Sequence, residues 1–121
     1  MESKYNLEAL LIGFASEIMS FTDSMVRSKA GKHLGIQLVR CATSPVLDFG
    51  GLESKESIKD YIQKLKIVLS ELQESKTALK RIAKLDLHTD LTKIDNLINE
   101  CDQLISIFGK SVERAERNNI N

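Results

Sequence analysis

The chain has 121 residues, of which 42% are apolar, 28% charged and only 5% aromatic. This length fits a single domain, and one proline, six glycines and no tryptophan are typical of an all-helical protein. Seventeen basic residues balance seventeen acidic ones, so the net charge gives no reason to expect a polyanionic partner. Only a local basic surface could bind such a partner.

The first predicted helix spans residues 6–29 and is apolar on two faces. One face contains Leu7, Phe14 and Phe21. The other contains Ile12, Met19 and Val26. At about 100° per residue, Ile12 lies about 160° around the helix from Phe14. A peripheral helix of a monomeric bundle needs one apolar face, so we expect the second to pack against another subunit. Gly31 is a suitable C′ residue to end this helix.

The second predicted helix spans residues 33–52 and contains the only proline, Pro45. Its apolar stripe comprises Leu34, Leu38, Ala42 and either Leu47 or Phe49. Pro45 lacks a backbone donor, and its ring clashes with the carbonyl of Cys41 in a regular helix. The helix is therefore predicted either to kink near residue 45 or to end near Ser44.

The third and fourth predicted helices, 55–85 and 90–116, carry seven-residue apolar repeats, which indicate coiled-coil-like seams. The third helix repeats Ile58, Leu65, Leu72 and Leu79. The fourth repeats Leu91, Ile98, Ile105 and Val112, together with Ile94, Cys101, Phe108 and Ala115. The link LDLHTD is short, so these helices should be antiparallel neighbours. Ser54 is a candidate cap for the third helix and Thr89 or Asp90 for the fourth, while the tail ERNNIN is predicted to fray.

These elements predict an all-α, antiparallel up-down-up-down four-helix bundle that occupies residues 1–121 as one domain. Cys41 and Cys101 have no zinc-ligand spacing, so we interpret them as buried side chains in a reducing, cytoplasmic compartment. No metal site, cofactor, signal peptide or membrane span is predicted. No set of acid, base and nucleophile stands out, so an unrecognised enzyme is the weakest alternative.

The run QLVRCATSPVLDF, followed by KDYIQKLKIVLSELQES, resembles a bacterial four-helix-bundle family. That family was first noticed in intervening sequences of large-subunit ribosomal RNA genes, and the accessory variability determinant of diversity-generating retroelements is a relative. The first run matches the family pattern at Gln37, Leu38, Arg40, Ala42 and Ser44. The second run matches it at Tyr61, Ile62, Leu65, Glu71 and Glu74. Asp48 and Gly51 stand where the family has Asn and Glu.

The resemblance implies an up-down bundle that assembles into a ring-like homopentamer and has no catalytic activity. It also implies RNA or DNA and a reverse transcriptase as partners, as in the retroelement relatives. A function that depends on the family's Asn and Glu does not carry over, because Asp48 and Gly51 replace them.

Arg40 is the first candidate site residue, because an unpaired charge on a mostly apolar helix is costly to bury. Glu71 and Glu74 of the third helix are its candidate partners. The favoured interpretation is an ion pair between helices or between subunits, and the alternative is an arginine that contacts phosphate.

The third helix also carries a stripe of outward polar positions with four lysines and no acid. These are Lys59, Lys66, Lys80 and Lys84. With Arg40, the stripe is a candidate nucleic-acid-binding surface, although no aromatic side chains interleave to stack bases. We therefore predict a non-enzymatic oligomeric scaffold or interaction protein that binds nucleic acid through this stripe. The alternative is a purely protein-binding homo-oligomer in which the stripe is only solvated.

Overall fold

The computed structural model describes residues 4–50 and 57–120. Within these ranges the chain contains no strand and forms four α-helices: α1 (Lys4–Thr22), α2 (Lys29–Gly50), α3 (Ile58–Lys84) and α4 (Leu91–Ile120). The predicted all-α four-helix fold is confirmed. The predicted cap at Ser54 and the family position at Gly51 lie outside the described residues.

The four helices form a closed bundle in which each packs against the next, and α1 packs more lightly against α4. Residues late in one helix lie beside residues early in its neighbour, so adjacent helices are antiparallel. The pairs that indicate this are Glu8 with Gly50, Lys66 with Glu116 and Glu17 with Lys93, and together they also set α2 antiparallel to α3. The chain therefore runs up, down, up and down.

The core follows the predicted apolar repeats. Fully buried members include Leu65, Leu72, Leu79, Ile94, Cys101 and Phe108. Phe49 is also buried and meets Phe108 edge-on, with ring centroids 5.5 Å apart and planes at 89°. Leu47 is exposed, so the apolar stripe of α2 includes Phe49 instead. Ile58 and Leu91 begin their helices and stay exposed, while Leu97 and Leu104, which the predicted repeats omit, are buried.

The first helix ends at Thr22, so the predicted end near residue 29 is wrong. The Thr22 hydroxyl donates to the Met19 carbonyl at 2.9 Å, and a turn follows. Ser28 then starts α2, because its hydroxyl accepts the Gly31 N–H at 3.0 Å and its carbonyl accepts the Lys32 N–H at 2.9 Å. Gly31 therefore lies in the first turn of α2 and does not end α1.

The second helix begins at Lys29, before the predicted residue 33, and continues through Pro45 to Gly50. An end near Ser44 is thereby excluded, while the kink stays a prediction. In the turn before the proline, the hydroxyls of Thr43 and Ser44 donate to carbonyls four residues earlier, each at 2.7 Å. Such bonds satisfy helix carbonyls locally and are typical of bent helices.

The last two helices begin at capped residues. The Ser57 hydroxyl accepts a backbone N–H three residues on at 3.1 Å, and the Asp90 carboxylate accepts one at 2.9 Å, which confirms Asp90 as a cap. α4 continues to Ile120, so the predicted helix end at residue 116 is wrong, while the fraying of the tail stays a prediction. The helix persists because Ala115 still packs against the core and Glu116 is held by an ion pair. None of the described helices is long and apolar enough to span a membrane.

Candidate functional site

The outward side of α1 carries almost no charge. Between Ala9 and Thr22 the only charged residue is Glu17, which turns toward α4 and accepts from Lys93 with Nζ and Oε2 3.4 Å apart. We call the remaining exposed positions the α1 outer face: Ala9, Leu10, Ile12, Gly13, Ser16, Met19 and Ser20. α1 is the least amphipathic of the four helices. The solvent side of α1 is thus apolar or small, as an interface would be.

The predicted interface residues are exposed in the single chain. Ile12 is 45%, Met19 52% and Val26 42% exposed. Gly13 leaves the backbone open, because a Cβ added there would meet no atom within 4 Å. Val26 follows the end of α1, where it lines a groove of about 400 Å³ with Ile36 and Val39 of α2. The apolar surface therefore extends from α1 onto α2, which the spacing within α1 did not reveal.

The α3 stripe faces solvent as predicted, and all four lysines are exposed. Lys66, however, lies 3.0 Å from the Glu116 carboxylate of α4, which neutralises it locally. Lys59, Lys80 and Lys84 form no ion pair with any described residue. The unpaired positive charge of the stripe is therefore concentrated at the two ends of α3.

A polar groove of about 260 Å³ lies between α2 and α3, beside the C-terminal half of the stripe. It is lined by Gln37, Ser70, Gln73, Glu74, Thr77 and Arg81. Arg81 is exposed and has no ion pair with a described residue. The sequence reading missed Arg81, because it lies about 100° around the helix from Lys80 and so falls outside the lysine stripe. The sequence does indicate Arg81 through the cluster of basic residues near the end of α3, but the prediction considered only the spacing of the lysines.

The predicted ion pair of Arg40 does not form within the chain. Arg40 is exposed, and neither Glu71 nor Glu74 lies within ion-pair distance of it. The neighbouring Cys41 is the side chain that faces α3, and its Sγ donates to Glu74 Oε2 at 3.5 Å. Consecutive helical residues point about 100° apart, so Arg40 is turned away from that contact. An ion pair between subunits and a phosphate contact both stay predictions for Arg40.

Glu71 instead faces another acid across the seam between α2 and α3. Its Oε1 atom is buried and has no hydrogen-bond partner, and Asp48 of α2 lies near enough to act on its pKa. Burial, followed by the hydrogen bond and charge of Asp48 and by the charge of Glu74, raises the pKa of Glu71 to about 8.

A second pair of acids lies on the opposite side of the bundle. It comprises Glu100 of α4 and Glu17 of α1, whose charge acts on Glu100. Burial, then the hydrogen bond and charge of Glu17, raises the pKa of Glu100 to about 7, and the positive charge of Lys93 opposes this rise. The sequence reading missed both pairs, because neither is apparent from spacing along a single helix.

Neither cysteine is an activated nucleophile. Burial is the main cause that raises the pKa of the Cys41 thiol to about 11 and that of Cys101 to about 12. Cys101 Sγ donates to the Leu72 carbonyl at 3.1 Å in the core. Both thiols therefore stay protonated near neutral pH, whereas a nucleophilic cysteine needs its thiolate form. In the described part of the chain, no group of three His, Cys, Asp or Glu side chains could hold a metal ion.

His88 has a structural role in closing one end of the bundle. It is buried, and its Nε2 lies 3.1 Å from the carbonyl of Phe21, in the last turn of α1. Its Nδ1 accepts the Asp90 N–H at 3.0 Å, so the ring is neutral and Nε2 is the donor. The ring also stacks on Phe21, with centroids 4.0 Å apart.

Compared with protein-family models, curated proteins and solved structures, the chain gives no match. The resemblance of the two sequence runs to the four-helix-bundle family therefore stays a resemblance. Function has to be inferred from the surfaces and seams of the bundle itself.

Proposed function

We propose that the protein is a non-enzymatic, homo-oligomeric interaction module whose copies pack through the α1 outer face. The observation that supports this most is the absence of charge on that face. A peripheral helix of a monomeric bundle places charged and polar side chains toward solvent, as α3 does with its lysines. α1 instead exposes Ile12 and Met19 beside small residues that allow a second helix to approach closely.

The energy available from this face decides how much surface the interface needs. Burying the exposed halves of Ile12, Met19 and Val26 yields about 1 kcal/mol each, because complete burial of such side chains is worth roughly 1.5–3 kcal/mol. Association costs about 4 kcal/mol or more in lost translation and rotation. Two copies of three side chains barely offset that cost, so the interface must also include exposed residues of α2 such as Ile36 and Leu47.

The molar mass in solution tests the oligomer directly. We expect light scattering to give a multiple of the 13.6 kDa chain mass, and the resemblance implies five copies. Ile12→Glu and Met19→Glu should each lower the mass toward that of one chain, since they place a charge on the α1 outer face. Leu91→Glu is the matched control, because Leu91 is as exposed, at 57%, but lies at the start of α4. A wild-type protein that stays monomeric at high concentration contradicts the proposal.

The second part of the proposal is that the assembled surface binds RNA or DNA through Lys59, Lys80, Lys84 and Arg40. Each is exposed and has no ion pair with a described residue, so each is free to contact phosphate. Repetition of the stripe in an oligomer would multiply weak contacts. Lys66 should contribute less, because Glu116 already neutralises it. A reverse transcriptase is the protein partner that the resemblance implies.

A salt-titrated shift assay tests this part. We expect wild-type binding that weakens with salt, since each neutralised phosphate releases counterions. The double variant Lys80→Glu/Lys84→Glu should lose most of this binding, and Lys66→Glu should lose less. Lys110→Glu is the control, because Lys110 is exposed on α4 and is not part of the stripe. No binding even at low salt would reject the nucleic-acid role.

A purely protein-binding homo-oligomer is the alternative, and the zero net charge of the chain favours it. In that case the mass measurement succeeds while the shift assay fails. An unrecognised enzyme remains the weakest alternative, since protonated, buried thiols argue against a cysteine nucleophile.

A further inference from the structure

The polar groove between α2 and α3 contains two opposite charges that do not meet each other. Glu74 and Arg81 both line it, and neither forms an ion pair with any described residue. Arg40 of α2 is close enough to Cys41 for its charge to oppose the burial that raises the pKa of that thiol. Arg40 is nevertheless not paired with Glu74. The groove therefore offers an unpaired carboxylate and an unpaired guanidinium to a ligand.

The helix sets the separation of these two charges. They are seven residues apart in α3, so they lie on nearly the same face and about 10 Å apart along the axis. Side chains of one helix pair directly at spacings of three or four residues, so this pair is too far apart to close on itself. Hydrogen-bonding side chains complete the lining: Gln37 from α2, and Ser70, Gln73 and Thr77 from α3. A ligand that contacts both charges has to span two helical turns.

The carboxylate of Glu74 is oriented from the neighbouring helix. Cys41 Sγ of α2 donates to Glu74 Oε2 at 3.5 Å. Burial is the main cause that raises the pKa of this thiol to about 11, so the thiol keeps its proton near neutral pH and remains a donor. A carboxylate has about four acceptor positions, and a single thiol uses one of them. Glu74 therefore presents two oxygens to the groove that both remain able to accept.

A guanine nucleotide matches this arrangement of groups. Guanine has two adjacent donors on its Watson–Crick edge, N1–H and N2–H, and one carboxylate accepts from both. Uracil instead has a carbonyl oxygen on each side of its N3–H, so a carboxylate repels that edge. At the other end of the nucleotide, a phosphate takes paired hydrogen bonds from a guanidinium. The phosphate and the Watson–Crick edge lie at opposite ends of a nucleotide, as Arg81 and Glu74 lie two turns apart in the groove.

We propose that this groove binds one guanine nucleotide unit, with its phosphate on Arg81 and the donors of its base on Glu74. The phosphate contact provides affinity that depends on salt, and the base contact provides the preference for guanine. The unit comes from a free nucleotide or from a single-stranded RNA, since both have the same phosphate and base. In the second case the inference rests on the nucleic-acid role proposed above, and it adds a base preference that the lysine stripe does not provide.

Equilibrium titration of the full chain with free nucleotides tests the base contact. We expect guanosine 5′-monophosphate to bind at least about fivefold more tightly than uridine 5′-monophosphate, the discrimination typical of a bidentate contact to a base. Glu74→Gln should remove most of this preference, because an amide offers only one acceptor atom beside a donor. Glu113→Gln, at an exposed position of α4, is the matched control and should keep the preference.

The phosphate contact and the source of the nucleotide are tested separately. Guanosine without a phosphate should bind more weakly than its monophosphate, and Arg81→Gln should lower the affinity for the monophosphate toward that of guanosine. Arg117→Gln, exposed on α4, is the control with the same change in charge. The RNA probes are a short oligouridine and the same oligomer with one central guanine. If RNA supplies the unit, the guanine probe binds more tightly, and Arg81→Gln lowers its salt slope by about one.

The outcomes separate this inference from the nucleic-acid role. Binding of the free guanine nucleotide without binding of either RNA probe supports the groove and rejects the nucleic-acid role. Equal binding of the two RNA probes, with no preference between the free nucleotides, overturns the groove and leaves the lysine stripe in place. A guanine preference that persists in Glu74→Gln also overturns it, and no binding of any probe rejects both proposals. The wild-type comparison of guanine with uracil decides the outcome even if a variant does not fold.

Discussion

Replacing Gly31 with alanine should destabilise the protein, although alanine is the better helix former. A Cβ built on Gly31 lies 1.8 Å from the Val26 carbonyl oxygen and 2.9 Å from the carbonyl carbon. The contact is with backbone, so no side-chain rotation relieves it. Either the first turn of α2 or the chain at Val26 has to move.

The size of the effect depends on the contacts that this movement disturbs. Overpacking of this kind costs about 1–3 kcal/mol. The Val26 N–H donates to the Leu87 carbonyl at 2.9 Å, and losing that hydrogen bond adds about 0.5–1.5 kcal/mol. Against these losses, alanine stabilises a helix by about 1 kcal/mol relative to glycine. The free energy of unfolding should therefore fall by about 1–3 kcal/mol in Gly31→Ala.

Two other glycines provide controls, because replacing either with alanine should stabilise the protein. A Cβ on Gly35, one turn further along α2, makes an ordinary contact 3.9 Å from the Met25 side chain, and one on Gly109 meets nothing within 4 Å. Each of these alanine variants should gain about 0.5–1 kcal/mol, measured by urea unfolding beside Gly31→Ala. A Gly31→Ala variant as stable as the wild type, or a loss at Gly109, would refute this reasoning.

Three further predictions concern buried groups. Phe108→Ala removes a fully buried ring packed edge-on against Phe49 and should cost about 3–5 kcal/mol in urea unfolding, and a loss below 1 kcal/mol would contradict this. His88→Ala removes the donor to the Phe21 carbonyl and the ring that stacks on it, so we expect a loss of about 1–3 kcal/mol by the same measurement; unchanged stability would show that His88 is dispensable. Cys101 should react with a thiol reagent only as fast as the protein unfolds, because burial raises its pKa to about 12; rapid labelling of the native protein would contradict its burial.

The sequence by itself determined which helix faces are buried in the second half of the chain. Leu65, Leu72 and Leu79 recur every seven residues in α3, and all three are fully buried. A seven-residue period keeps one face of a helix against its neighbour, so burial can be predicted without knowing the neighbour. The exposed second face of α1 follows from the same local geometry, since Ile12 and Met19 lie opposite the buried residues.

The end of α1 was decided by the tertiary structure. The apolar pattern continues beyond Thr22 to the buried Met25, so spacing predicts a longer helix. The chain instead turns, and Val26 hydrogen-bonds to the Leu87 carbonyl in the link between α3 and α4. That partner is distant in sequence, and no pattern within the first segment identifies it. Gly31 is also ambiguous in sequence, because glycine suits both a helix end and a close approach of backbone.

The partners of Glu71 and Glu100 were also decided by the tertiary structure. The spacing of residues along α3 predicts that Glu71 lies on the side toward α2, but it does not specify whether Glu71 meets Arg40 or Asp48 there. That choice depends on the axial shift and the rotation of one helix relative to the other, which packing of all four helices sets together. Periodicity is a property of one helix and can be read along the chain. Pairing across a seam is a property of two helices, so only the assembled bundle shows it.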